Sequence, residues 1–413
     1  MSRLNFFTIL LIGFVDYLGI ALVYPVFAAL LFDQTVPLVP IGSSSFFRGA
    51  ILGILIGLTP LTQFFSSPIL GSISDLKGRR QTLGYGIGLG CLGYFLAVVG
   101  ICIHSLSLLF IYRILIGISE GTVGVAQAMI ADISTDQNKA RQFALFNASL
   151  GTGFSIGPFL GGKLADPAVA SWCGYAVPFI LASVLSLGNL ILVLFKFPET
   201  HRIKENKPFS LKQSITNIGK VVVWKQLRWL FFATFTFSFG WSFFNEFVPI
   251  LLRERFNFAL GEVGNYYAYG GIWYALSAAI ASALLKYFYP ENVVTKALIG
   301  CAICMLLFII IPHSSYIWWI LPPFMSCLAM TFSTTTALIS NYANRENQGE
   351  VLGVYQSVIA LAMGVSPLIV GFAVGNYPSL TSWGGAAAML TAGWAFWMGK
   401  RRLSLSSNAL LSS

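Results

Sequence analysis

Apolar residues run along this chain in long blocks, and short polar segments separate them. Each block is about 20 residues long, which is the length an α-helix needs to cross the hydrocarbon core of a bilayer. The blocks are continuously apolar rather than alternating, which excludes a transmembrane β-barrel. The pattern predicts twelve spanning helices, at about 6–32, 47–70, 83–103, 107–130, 142–165, 174–195, 229–252, 263–285, 296–312, 317–340, 351–374 and 380–398.

Composition supports an all-α polytopic membrane protein. Hydrophobic residues make up 56% of the 413 positions and charged residues 10%, and the mean hydropathy is +0.76. The 40 glycines suit closely packed membrane helices, and the aromatic residues, 15% of the chain, suit interfacial belts. An enzyme is not expected, because the three histidines lie in predicted loops and form no cluster with Ser and Asp or with metal-ligating residues.

The basic residues predict the topology. If both termini are cytoplasmic, 20 of the 25 Lys and Arg fall in cytoplasmic segments, as the positive-inside rule requires. The net charge of +10 is therefore a membrane signal and predicts no nucleic-acid partner. We expect a multi-pass protein of the cell inner (cytoplasmic) membrane, with the lipid bilayer as its surroundings.

The polar stretch 196–228 divides the chain into two sets of six spans, 1–195 and 229–413. The sets resemble each other: at an offset of 209 residues, Pro158 falls on Pro367 and Gly162 on Gly371. Two six-helix bundles related as parallel repeats are therefore predicted, with a substrate site between them. Within the linker, "FSLKQSITNIGKVV" reads either as an amphipathic surface helix or as a plain tether.

The stretch "GSISDLKGRR", between spans 2 and 3, concentrates charge in a chain that avoids it. It resembles the loop motif G-x-L-a-D-r-x-G-r-r of the major facilitator superfamily. The resemblance implies a cytoplasmic gate in which Asp75 and the arginines latch against the opposite half, with Asp75 near the N-terminal end of span 11. A positive-inside anchor explains the basic residues but not the aspartate. The residues assigned to gating are Gly71, Asp75, Gly78, Arg79 and Arg80.

Three further motifs narrow the resemblance. Span 5, "GTGFSIGPFLGG", resembles the G-x-x-x-G-P-x-x-G-G motif of drug:proton antiporters. Span 4, "YRILIGISEGTVGVAQA", resembles their R-x-x-x-G motif, and span 1, "DYLGIALVYPV", resembles the opening of tetracycline-type exporters. The major facilitator fold of twelve helices follows as an expectation. The antiporter-motif residues are Gly153, Gly157, Pro158, Gly161 and Gly162.

Charged residues inside spans are candidates for proton coupling, because each costs about 2.5–3.5 kcal/mol at the membrane centre. Arg113 and Glu120 share one face of span 4, about 10 Å apart along the axis, which suits a water-bridged pair. Glu120 is the first candidate for the proton carrier. Asp16 is the second, and a helix–helix hydrogen bond is its alternative role.

The chain departs from tetracycline-type exporters at two points, which argues against tetracycline itself as the substrate. Glu120 stands where that group has a small residue, and span 3 has no acid where that group carries one. No metal is expected, since "CAIC" at 301–304 lies in an apolar helix. The residues expected to line a substrate cavity are Gln63, Phe243, Asn245, Glu246, Trp273 and Gln356.

The sequence thus predicts a secondary transporter that exports a small lipophilic molecule or drug in exchange for protons by alternating access. It would be a monomer without a cofactor, driven by the proton gradient. The alternative within transport is a proton-coupled importer of a nutrient, metabolite or siderophore. A membrane scaffold or sensor without transport is the alternative from another class.

Overall fold

The structure is a computed structural model, and it describes residues 3–33, 36–40, 42–133, 139–196, 198–199, 228–284, 290–342 and 348–411. These residues form fifteen α-helices and one short 3₁₀ helix, Ser314–Tyr316, and no strand occurs among them. The linker interpretation falls on 201–227 and so lies outside the described residues.

Eight helices lie in the described part of the first half. Ser44 begins the third of them by accepting a hydrogen bond from the Phe47 N–H (3.2 Å), and Gly78 ends it with φ = 102°, a value that favours glycine. The helices are α1 Arg3–Leu22, α2 Tyr24–Phe32, α3 Ser45–Lys77, α4 Arg79–Cys102, α5 Leu106–Glu120, α6 Val123–Ile133, α7 Lys139–Ala165 and α8 Val177–Lys196.

The second half contains seven helices among the described residues. They are α9 Arg228–Asn245, α10 Val248–Phe256, α11 Leu260–Leu284, α12 Pro290–Ile310, α13 Ile317–Tyr342, α14 Gln348–Val374 and α15 Leu380–Leu411.

Eight segments of the described chain are long and apolar enough to cross a membrane. The other four predicted spans are helical too: α7 with 27 residues, α9 followed by α10, α11 with 25 residues, and α15 with 32. The eight are Phe6–Phe32, Ser45–Gly71, Arg79–Cys102, Leu106–Ile130, Val177–Phe195, Pro290–Ile310, Ser314–Thr336 and Val354–Val374.

Three predicted spans are interrupted rather than continuous. Span 1 breaks at Val23 and span 7 at Phe247, and in each case proline is the second residue of the helix that follows. Proline suits a first helical turn because the missing N–H has no intrahelical partner there. Span 4 breaks after Glu120 without a proline.

The two halves share a core at the end of the bundle opposite the termini. One cluster of buried apolar residues combines first-half side chains, such as Phe27 and Leu55, with Phe247, Ile250 and Val374 of the second half. A second cluster belongs to the second half, and a third, around Ile87 and Met129 near the termini, contains first-half residues. The halves are therefore joined at the opposite end.

Glycines let helices of the two halves lie with their backbones in direct contact, and we call such a contact a glycine seam. A Cβ on Gly53 of α3 would collide with the Pro367 carbonyl oxygen of α14, and one on Gly57 would lie 2.6 Å from the Gly364 oxygen. Toward the termini, Gly71 and Gly124 have open space within 4 Å of the corresponding position. Among the described residues, the closest backbone contacts between the halves thus lie at the end opposite the termini.

Candidate functional site

Asp16 is tied to α8 by a buried asparagine. The Asn189 Nδ2 donates to Asp16 Oδ1 at 2.8 Å and to the Ile12 carbonyl oxygen at 3.0 Å, and Asn189 is 3% exposed. The helix–helix hydrogen bond considered for Asp16 is thus present. Asn189 is not among the sequence-predicted residues, although a polar side chain in an apolar span was its signal.

Glu120 lies at the break in span 4, where α5 ends and two turn residues precede α6. Glu120 and Asp16 line the same pocket, which lies inside the first half between α1, α4, α5, α6 and α8. The polar side chains of this pocket are Asp16, Tyr17, Tyr94, Ser119, Glu120, Thr122 and Ser186. The structure therefore brings the two predicted proton carriers together, away from the seam between the halves.

Arg113 binds the backbone of α3. Its Nε donates to the Leu55 carbonyl oxygen at 2.6 Å and its Nη2 to the Ile56 oxygen at 3.0 Å, while its guanidinium carbon lies 5.0 Å from the Phe27 ring centroid. Pro60 has no N–H for the Ile56 carbonyl, which is its i−4 partner. Arg113 supplies the missing donor, so its guanidinium turns toward α3 rather than along α5 to Glu120.

Glu246 lies in the break of span 7 and is 5% exposed. Its Oε2 is buried and has no hydrogen-bond partner among the described residues. Tyr24 of the first half faces this carboxyl, and the charges of Arg113 and Glu120 act on it. A carboxyl from the second half therefore reaches the electrostatic neighbourhood of the first-half charges.

The other predicted cavity residues are spread over four helices. Asn245 is buried, and its carbonyl oxygen accepts a 2.7 Å hydrogen bond from the Tyr267 hydroxyl. Phe243 is also buried, while Gln63 and Trp273 are half-buried and Gln356 is exposed. Gln63 reaches Glu120, since its Nε2 lies 3.5 Å from the Glu120 carbonyl oxygen.

The arginines of the loop motif are held within the first half. Arg79 Nε donates to Asp132 at 3.3 Å, and its Nη1 donates to Ser74 at 2.5 Å. Arg80 donates to the Val193 and Leu194 carbonyls at the end of α8. These printed bonds all join residues of the first half, and the gating role of the motif stays a prediction. The structure describes the backbone of Asp75, in the last turn of α3, but not its side chain.

The antiporter-motif glycines pack α7 on both halves. A Cβ on Gly153 or Gly161 would collide with carbonyl oxygens of α1, and one on Gly157 would lie 2.5 Å from the Ala21 Cβ. A Cβ on Gly162 would instead meet the Leu260 oxygen of the second half at 2.7 Å. The motif thus serves a close approach of helices, with Pro158 inside α7.

Among the described residues, no three His, Cys, Asp or Glu side chains cluster closely enough to hold a metal ion. The ionisable side chains that this site brings together are the carboxyls of Asp16, Glu120 and Glu246 and the guanidinium of Arg113.

The long apolar helices of the described chain define the class of polytopic α-helical membrane proteins. The profile of the Major Facilitator Superfamily matches residues 9–367, and the chain belongs to that superfamily. It is therefore a multi-pass membrane transporter and not an enzyme.

Relatives and solved structures agree with this assignment. The chain is 28% identical over 367 residues to the tetracycline resistance protein, class D, of Salmonella ordonez, covering 88% of each chain. It is 26% identical over 364 residues to the quinolone resistance protein NorA of Staphylococcus aureus (strain COL), covering 87% of each.

A D-xylose–proton symporter structure, 15% identical, matches with a TM-score of 0.76 over 96% of this chain and 98% of that one. Human MFSD10 (TETRAN), an organic anion transporter 19% identical, matches with a TM-score of 0.69 over the same shares. The two structures show the fold alone.

Proposed function

We propose that the protein is a proton-coupled antiporter that exports a small lipophilic molecule by alternating access. The observation that carries the proposal is the pocket shared by Asp16 and Glu120 inside the first half. Two carboxyls in one small pocket disfavour a second negative charge, so such a pocket takes up and releases a proton readily. The relatives are named as tetracycline and quinolone resistance proteins, which supports export as the direction of transport.

The proposed solute site lies between the halves, with Glu246 as its charged member. A buried carboxyl oxygen without a partner favours a solute that carries a positive charge or a hydrogen-bond donor. Phe243 and Asn245 precede Glu246 in sequence. Gln63, Trp273 and Gln356 extend the proposed lining. Because Glu246 and Glu120 are coupled electrostatically, a cationic solute and a proton would compete, as exchange requires.

The remaining assignments complete the proposal. The halves 1–195 and 229–413 are its two moving bodies, and 196–228 connects them. The protein lies in the inner membrane of the cell. Both of its termini face the cytoplasm, in keeping with the distribution of Lys and Arg. It acts as a monomer, without a cofactor, and the proton gradient drives it. Gating by Asp75 remains part of this proposal.

Proteoliposomes loaded with a pH-sensitive dye test the coupling. Wild-type protein should release protons down an imposed gradient when a solute from a panel of tetracyclines, quinolones, lipophilic cations, siderophores and amino acids is added. Glu120→Gln removes the titratable group but keeps its shape, so solute-driven proton flux should be lost while solute–solute exchange persists. Glu262→Gln, at an exposed carboxylate of α11, is the matched control and should behave as wild type.

Two outcomes would overturn parts of the proposal. Proton flux at the wild-type level in Glu120→Gln would transfer the carrier role to Asp16, and the same result in Asp16→Asn would remove coupling through this pocket. Solute accumulation in the direction of proton flow would identify an importer instead.

A further inference from the structure

The residue at the N-cap position of helix α11 has no side chain that can cap the helix. Ala259 precedes its first residue, and an alanine methyl cannot accept a hydrogen bond from the first turn. Glu262 supplies half of a capping box, because its Oε2 accepts from the Ala259 N–H at 2.8 Å. The Gly261 N–H, in the first turn, still has no partner within its helix.

Asp166, in the opposite half, supplies the missing acceptor. Its Oδ2 accepts from the Gly261 N–H at 3.1 Å, and its Oδ1 accepts from the Ala168 N–H at 2.9 Å. Asp166 directly follows α7, so one carboxylate fixes its own loop and also caps a helix of the second half. Its negative charge lies at the positive end of that helix.

The seam between α7 and α11 fixes this geometry. A Cβ on Gly162 would lie 2.7 Å from the Leu260 carbonyl oxygen, and one on Gly264 would lie 3.0 Å from that of Phe159. Lys163 is close as well, since its Nζ lies 3.3 Å from the Cβ position of Gly261. Any separation of the halves at this end therefore removes Asp166 from the α11 N-terminus.

We propose that Asp166 is a helix cap that exists only in one state of the transport cycle, and that it latches the end opposite the termini. With the halves closed, α11 has a complete capping arrangement; with this end open, the Gly261 N–H must be satisfied by water. The latch requires only the movement of the two halves, so it does not depend on which solute or ion is carried.

Distance measurements between spin labels across this end test the latch. Cysteines replace the exposed residues Val169, in the first half, and Glu254, in the second, in a background without the six native cysteines. Asp166→Ala removes the acceptor and should raise the population with a long inter-label distance about fivefold, as expected for loss of a helix cap. Asp166→Asn should stay near the parent distribution, because asparagine caps about as well as aspartate.

Glu262→Ala is the matched control, since it weakens the same helix end without touching the contact between the halves. Its distance distribution should equal that of the parent. An unchanged distribution in Asp166→Ala, or an equal shift in Glu262→Ala, would overturn the latch. If Asp166→Ala fails to give a monodisperse protein, Asp166→Asn decides the question together with Asp166→Ser, whose shorter side chain should raise the open population if the latch is real.

Discussion

Arg113 compensates for a defect that a proline creates in the neighbouring helix. Pro60 deprives the Ile56 carbonyl of a donor, and the planar guanidinium spans that carbonyl and the adjacent one of Leu55. The charge is thereby held over the Phe27 ring in the interior of the bundle. Arg113 thus has two effects: it satisfies backbone carbonyls of α3, and its charge acts on Glu120 and Glu246.

This geometry predicts the outcome of a double-mutant cycle. Arg113→Lys keeps the charge but cannot reach two carbonyls in one plane, so it should lower stability by about 1–3 kcal/mol through an unsatisfied buried acceptor. In a Pro60→Ala background the loss should be smaller, because an alanine at position 60 restores the N–H. Thermal unfolding of the four proteins in detergent measures the coupling. Equal losses in both backgrounds would mean that the Ile56 carbonyl plays no part.

The interior charges were predictable one by one, but their partners were not. Asp16, Arg113 and Glu120 stand out because each is charged within an apolar block, and that property is local. The Asn189 hydrogen bond to Asp16 joins residues 173 positions apart, so no local pattern predicts it. Whether Asp16, Glu120 and Glu246 have the roles proposed for them stays a prediction.

At the scale of helices, the apolar blocks predicted where the chain crosses the membrane but not where the crossings bend. The breaks before Pro25 and Pro249 follow from proline chemistry and could be predicted locally. The break after Glu120 has no proline to mark it. It lies next to a contact between α5 and α3, in which the Ser66 hydroxyl donates to the Gly117 carbonyl at 3.0 Å, and a contact between residues 51 positions apart cannot be predicted from local sequence. The major facilitator fold itself was predicted, because motifs and repeats are read from sequence alone.

The antiporter motif predicts a contrast between two glycines of α7. Gly157→Leu would drive a side chain into Ala21 and the Leu18 carbonyl oxygen, at 2.5 and 2.9 Å from the Cβ position, so transport should fall sharply. Gly151→Leu enters open space and should keep most transport. Immunoblots of membrane fractions must find both variants inserted at comparable levels. Equal transport by the two variants would contradict the packing role of the motif.

At the scale of the whole molecule, the halves meet along glycine seams that leave room for backbone but not for side chains. Carbonyl oxygens of one half face Cα atoms of the other at Gly53 and Gly371. Such a seam closes only in one register, because a methyl group on either side collides with backbone. The closed end is therefore a well-defined state.

A single methyl group in the seam should shift the molecule toward opening at this end. Gly53→Ala overpacks the contact with Pro367, which costs the closed state about 1–3 kcal/mol. Cysteines in place of Phe46 and Phe372, whose rings lie 5.9 Å apart across the seam, report closure through the rate of a short bifunctional cross-linker. Gly188→Ala, which meets nothing within 4 Å, is the control and should cross-link at the parent rate. An unchanged rate in Gly53→Ala would contradict the expectation.

Glu199, just after α8, has a consequence for how the protein is made. Its carboxylate accepts the N–H groups of Arg79 (2.9 Å) and Arg80 (3.1 Å), which are the first residues of α4. Those arginines bind Ser74, Asp132 and the end of α8, and every one of these groups is synthesised before the second half. Translation adds about 5–20 residues per second. At that rate residues 229–413 take roughly 10–40 s to make. Because no contact of this framework uses any of them, the first bundle has that time to form it before the chain is complete.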